Sequence, residues 1–242
     1  MSYTIRDVKV VPEGDGVDVK RLFPLNGFMN FDPFVLWDHF EVSPGRGFPD
    51  HPHRGFEAIT YMFKGGMNHK DNLGNESFVT AGGAQRFTAG KGIVHSEMPS
   101  ETGNSNGIQL WINLPGKLKQ MPASYQQVND DEFPVQVIPG GKVKVIVGEG
   151  SPLILNSQVS YMHICLEKQA EYNIRFDKNM RGILYLMEGE LSLDSIELKH
   201  DKALFIEDQQ SLHVISQAKS EFMLCLGLPH NEPIHQYGPF VD

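Results

Sequence analysis

The sequence predicts an all-β protein built from two copies of one β unit. Short runs rich in Val, Ile, Phe and Tyr are punctuated along the whole chain by 24 glycines and 15 prolines. Helical periodicity is weak throughout. The segment YMFKGGM (61–67) also matches YLMEGEL (185–191) at an offset of 124, about half of the 242 residues.

Composition narrows the function classes. With 40% hydrophobic residues the chain can fill the cores of two units of about 120 residues each. Acids exceed bases 30 to 21, and the net charge of −9 repels a phosphate backbone or an anionic membrane surface. Nucleic-acid and membrane partners are therefore not expected. The opening MSYTIRDVKVVPEGDG has no apolar stretch of signal-peptide length, and no segment approaches the roughly 18 apolar residues of a membrane span. A soluble, cytoplasmic protein is expected. Cys165 and Cys225 lie in the apolar runs YMHICLE and FMLCLGL, where a free thiol behaves as a small hydrophobe, so no disulfide is expected.

Along the chain, HPHRGFEAITYMFKGG (51–66) opens a buried-looking strand with two imidazoles. Residues i and i+2 of a strand share a face, so His51 and His53 point together. The strand GKGIVHSEMP offers a second pair at that spacing, His95 and Glu97. Two such strands facing one another in a small barrel would surround one point with three imidazole nitrogens and a carboxylate. That donor set lacks thiolate, so it suits an open five- or six-coordinate iron(II), manganese, nickel or copper site better than structural zinc. His39, His69, His200, His230 and His235 lack a same-face partner in this reading and are assigned to the surface or to hydrogen-bonded core positions. The next segment, PGKLKQMPASYQQV, allows a turn or two of helix, kept short by Pro115 and Pro122. The loop-rich NDDEFPVQVIPGG, around 129–141, marks the junction. KVKVIVGEG, ILYLMEGEL, ALFIED and HVISQ follow as strands of the second copy.

The run GRGFPDHPHRGFEAITYMFKGGMNHKDNLGN resembles the first cupin motif, with Gly45, His51, His53 and Glu57 in place and Gly65 one residue late. Together with TAGKGIVHSEMP, GIQLWINLP and EPIHQYGPF, it resembles the pirin family from DPFVLWDHF to the C-terminus. The resemblance implies two tandem cupin barrels: a metal-binding one over residues 1–130 and one without metal ligands over 131–242. It implies His51, His53, His95 and Glu97 as metal ligands, with Glu57 beside them as a partner that could hold an imidazole in one tautomer. The expected ion is iron(II), with nickel, copper, manganese and cobalt as alternatives. At the repeat offset His51, His53 and Glu57 correspond to Arg175, Asp177 and Arg181, and His95 and Glu97 to His213 and Ile215, which leaves the second barrel empty.

Two functions follow from the resemblance. One is a quercetin 2,3-dioxygenase, opening a flavonol ring with O2 and releasing carbon monoxide, with Glu97 as catalytic base. The other is a redox-sensing regulator that binds a partner protein. For the enzyme, Phe48, Phe56 and Phe87 would line an apolar pocket. Arg54 would either steer an anionic substrate or pair with a surface carboxylate.

Overall fold

The computed structural model describes residues 2–194 and 196–242. Its elements are antiparallel strands and two 3-10 turns, Gly116–Leu118 and Asp130–Glu132. The helix expected within PGKLKQMPASYQQV is reduced to Gly116–Leu118. Its second half, Ser124–Val128, becomes a strand because pairing with Ala84–Thr88 gives its backbone the partners a helix would have supplied. No helix among the described residues is long and apolar enough to cross a membrane. Cys165 and Cys225 are free.

Contacts divide the chain into a leading unit, Lys9–Glu132 with His230–Asp242, and a trailing unit, Met1–Val8 with Phe133–Pro229. The termini are thus exchanged relative to a simple cut near residue 130. Strand pairing explains this for the N-terminus. The strand Ser2–Asp7 pairs with Lys202–Glu207 at the edge of the trailing sheet, the place that Ser124–Val128 fills in the leading one.

Each unit contains a seven-stranded and a four-stranded sheet with ladders that do not close, so the expected barrels are pairs of packed sheets, and the leading unit adds the two-stranded pair Gln236–Tyr237 and Phe240–Val241. Strand order agrees position by position. In the leading unit Phe56–Lys64 is flanked by Ala84–Thr88 and Ser105–Asn113. In the trailing unit Arg181–Glu188 is flanked by Lys202–Glu207 and Ser220–Gly227. The matched heptapeptides occupy the same corner in both, where a chain leaves the large sheet for the small one. Gly65 (φ 71°) and Gly189 (φ 90°) make that turn. A Cβ at either would collide with the strand passing behind it, at Ser105 and at Ser220.

The two interiors differ. In the trailing unit Leu184, Leu204 and Leu224 of the large sheet pack on Leu191, Leu212 and Val214 of the small one. In the leading unit Val19, Phe40 and Met62 pack on Met67 and Val79 at one end, and Phe56, Phe87 and Trp111 cluster at the other. Between them lie buried His53, Thr60, His69, Gln85, His95 and Glu97. The buried polar side chains described in the trailing unit are serines, Ser157, Ser216 and Ser220.

Strand register shows how one interior was made polar. Thr60 pairs with Gln85 and with Gln109. At the same crossing in the trailing unit Leu184 pairs with Leu204 and Leu224. Register also corrects two correspondences drawn from the straight offset. Asn173 pairs with His213 as His51 pairs with His95, and Arg175 stands where His53 does. Both fall two residues earlier than the offset of 124 places them, because the connection 176–180 is longer than its counterpart 54–55. His213 makes an exposed ion pair with Glu171 at 3.4 Å.

Because Leu184 is fully buried at the centre of the trailing core, Leu184→Ala should destabilise the protein by about 2–5 kcal/mol. The check is a lower denaturant midpoint at unchanged slope.

Candidate metal centre

His51 and His53 lie on Phe48–His53, and His95 and Glu97 on Ile93–Pro99. The two strands are hydrogen-bonded neighbours in one sheet rather than opposed across a barrel. His95 sits opposite His51, and a bulge follows before Glu97. The bulge turns the local backbone, and both His95 and Glu97 are buried. The three imidazoles form a triangle with ring centres 4.5, 4.5 and 5.0 Å apart, and one donor nitrogen from each lies within 4.8 Å of the others.

Hydrogen bonds fix which nitrogen each ring offers. His51 Nδ1–H donates to Pro49 O (2.7 Å), and His53 Nδ1–H donates to Pro239 O (3.3 Å). Asp71 Oδ2 accepts from His69 Nε2–H (3.0 Å), leaving His69 Nδ1 to accept from His95 Nδ1–H (3.5 Å). In His51, His53 and His95 the Nδ1 is thereby protonated and the Nε2 carries a lone pair, while His69 holds the opposite tautomer. His95 Nε2 and His51 Nε2 face each other at 3.1 Å, and His53 Nε2 is buried without a partner. Burial, reinforced by the neighbouring imidazoles, pushes His53 down to about 2 and His95 well below its usual value. Neutral imidazoles with convergent lone pairs fit a transition-metal cation, and an all-nitrogen face suits iron, nickel or copper.

Packing holds the rings in place. His53 stacks on Phe87 (5.4 Å, 7°) and meets Phe56 and Trp111 edge-on at 5.1 and 4.8 Å. Phe56 and Phe87 therefore brace the His53 ring rather than line the cavity, a correction to the sequence expectation. His69, which sequence reading left without a same-face partner, has one in Asp71 at i+2 and stacks on Tyr125 at 4.2 Å. Against the cost of burial, hydrogen bonds from His69, Asn75 and Leu73 hold the Asp71 carboxyl below its usual range.

Glu97 lies beside the triangle but outside the set of atoms that converge within 4.8 Å. Its Oε1 accepts from Thr60 Oγ1 (2.7 Å) and Gln85 Nε2 (2.5 Å), and its Oε2 from Gln109 Nε2 (2.5 Å). The two amides are themselves oriented, because Gln85 Oε1 accepts from the Tyr125 hydroxyl and Gln109 Oε1 from Trp111 Nε1–H, each at 3.0 Å. Glu57 accepts from Thr88 Oγ1 (2.8 Å), while the Nδ1 atoms of His51, His53 and His95 are held by Pro49, Pro239 and His69.

A cavity of about 500 Å³ opens beside His51 and His53. Its apolar wall includes Leu36, Phe40, Phe48 and Trp111, and Arg21 forms a bidentate pair with Asp38 (2.8 and 2.6 Å) on another side. The C-terminal segment completes the surround. Arg54 pairs with Asp242 (2.9 and 2.7 Å) and lies over Phe240, which answers the two readings of Arg54 in favour of a carboxylate partner. Lys119 Nζ donates to Gly55 O, Asn113 Oδ1 and Val241 O, and its burial pulls it down to about 8.

Residues 16–112 match the Pirin family, and residues 161–242 match the Pirin C-terminal cupin domain. A pirin-like protein of Solanum lycopersicum is 38% identical over 95% of this chain and 82% of its own length. Among solved structures, a quercetin 2,3-dioxygenase from Acinetobacter baumannii superposes with a TM-score of 0.91 at 28% identity, covering 98% of this chain and 90% of that one. A bacterial pirin from Escherichia coli in complex with nickel(II) shares the fold at a TM-score of 0.81 and 24% identity, over 94% of this chain and 100% of its own.

Because Asp71 and His69 set the His95 tautomer, Asp71→Asn should weaken metal affinity by about 10- to 100-fold. Competition against a chelator measures this, and an unchanged melting temperature of the metal-free protein would separate it from unfolding.

Proposed function

The chain belongs to the pirin family, and from that premise we propose that it is a metal-dependent dioxygenase of the quercetin 2,3-dioxygenase type, acting on a flavonol and O2 with release of carbon monoxide. The observation that carries this reading is the convergence of three imidazoles, two of which, His51 and His53, line a cavity large enough for a flat aromatic ligand. His51, His53 and His95 would hold the ion. Glu97 would give up one of its three hydrogen bonds to lend an oxygen as the fourth ligand. Iron(II) suits this set, with nickel, copper, manganese and cobalt as the other ions to test. A bound cation supplies Lewis acidity that acidifies the 3-hydroxyl of the flavonol and holds its electron-rich ring next to O2.

The chain's own groups do the rest. Glu97 is the acceptor for the hydroxyl proton. Its cradle of Thr60, Gln85 and Gln109 keeps the carboxyl aimed, and releasing one of these donors frees an oxygen while the others hold the group in place. The walls formed by Leu36, Phe40, Phe48 and Trp111 exclude water from the flat face of the ligand. The Arg21–Asp38 pair at the cavity edge offers both a donor and an acceptor to phenolic hydroxyls.

The metal-stripped protein reloaded separately with each ion should consume O2 and bleach quercetin with at least one of them. Glu97→Gln should lower that rate by about 10²- to 10⁴-fold while the three imidazoles retain the metal. Absence of turnover with every ion, together with metal-dependent capture of a protein partner, would replace the enzyme by the regulator.

A further inference from the structure

The large sheet of the trailing unit carries a second group of metal-ligating side chains, unrelated in position to the vacated interior. His163 and Cys165 lie on Val159–Leu166, alternating with Ile164 and Leu166, which point into the core. They therefore share the face of the sheet away from that core. Glu221 sits directly opposite Cys165 on Ser220–Gly227 and alternates with core Phe222. His163 Nε2 lies 2.7 Å from Glu221 Oε1 and 3.8 Å from Cys165 Sγ, and all three donor atoms fall within 4.8 Å of one another.

We propose that His163, Cys165 and Glu221 form a second metal site, for a borderline-soft divalent cation such as zinc(II). Zinc bonds of about 2.0–2.3 Å place tetrahedral nitrogen and sulfur donors roughly 3.5 Å apart, close to the separation already present. The His163–Glu221 pair opens by about half an ångström to admit the ion. Thiolate and carboxylate together balance its double charge. Side-chain exposures of 14% for His163 and 36% for Glu221 leave a path from solvent and a fourth position for water. Burial and the Glu221 carboxylate raise the Cys165 thiol, with Lys142 across the ladder opposing them.

The repeat supplies an internal comparison. In the leading unit the same three places in the ladder hold His39, Glu41 and Asn106. There His39 and Asn106 simply hydrogen-bond at 3.2–3.3 Å. In the trailing unit a carboxylate stands where the amide does and a thiol where the glutamate does, so a histidine–amide pair has a three-donor set as its counterpart. An ion pair alone accounts for Glu221 and leaves Cys165 unexplained.

Cobalt(II) titration of the full-length, metal-stripped chain tests the proposal, because the leading-unit donors include no sulfur. A thiolate-to-cobalt charge-transfer band should appear in the near ultraviolet and saturate at about one ion per chain. It should vanish in Cys165→Ser and persist in Cys225→Ser. Glu221→Gln should weaken zinc competition for it by about tenfold or more. Bound zinc should fall from about two ions per chain to about one in Cys165→Ser. No charge-transfer band in the unmodified protein, or one that survives Cys165→Ser, would overturn the proposal.

Discussion

Three imidazole lone pairs aimed at one another inside a protein repel unless a cation sits among them, and the leading unit is organised around that constraint. Each ring's other nitrogen is already committed: to Pro49, to Pro239 and, through His69, to Asp71. Rotating any ring to relieve the repulsion would break one of those bonds and, for His53, its stack on Phe87 as well. The preorganisation reaches far along the chain, since Pro239 belongs to a terminal segment that Arg54 and Lys119 bind back onto the unit.

The same framework without that constraint is visible in the trailing unit. Where Thr60, Gln85 and Gln109 cradle a buried carboxylate, Leu184, Leu204 and Leu224 meet in a dry core. Burying Glu97 costs stability unless its lone pairs are satisfied, and three donors satisfy them. An apolar core incurs no such cost. One unit carries a polar interior at this crossing, and its counterpart carries an apolar one.

Much of this was legible in residue order. Alternation of faces brings His51 to His53 and His95 to Glu97, and the repeat reveals two units. Alternation could not tell that the two strands are neighbours in one sheet, because that depends on pairing between residues some forty positions apart. The exchange of the termini was hidden for the same reason: nothing local marks Ser2–Asp7 as a partner of Lys202–Glu207. His69 and Asp71 obey the same i+2 rule that pairs His51 with His53. Gln85 and Gln109 carried no signal alone, because their meaning lies in a leucine at the matching crossing. Phe56 and Phe87 read as pocket walls because composition cannot distinguish a side chain facing a ligand from one facing an imidazole.

An anomalous-scattering map from crystals of the protein loaded with one equivalent of iron(II) tests the centre most directly. The account predicts a single strong peak about 2.0–2.2 Å from the Nε2 atoms of His51, His53 and His95, the distance of ordinary metal–imidazole bonds. A peak elsewhere, or ligation of any of these rings through Nδ1, would contradict it.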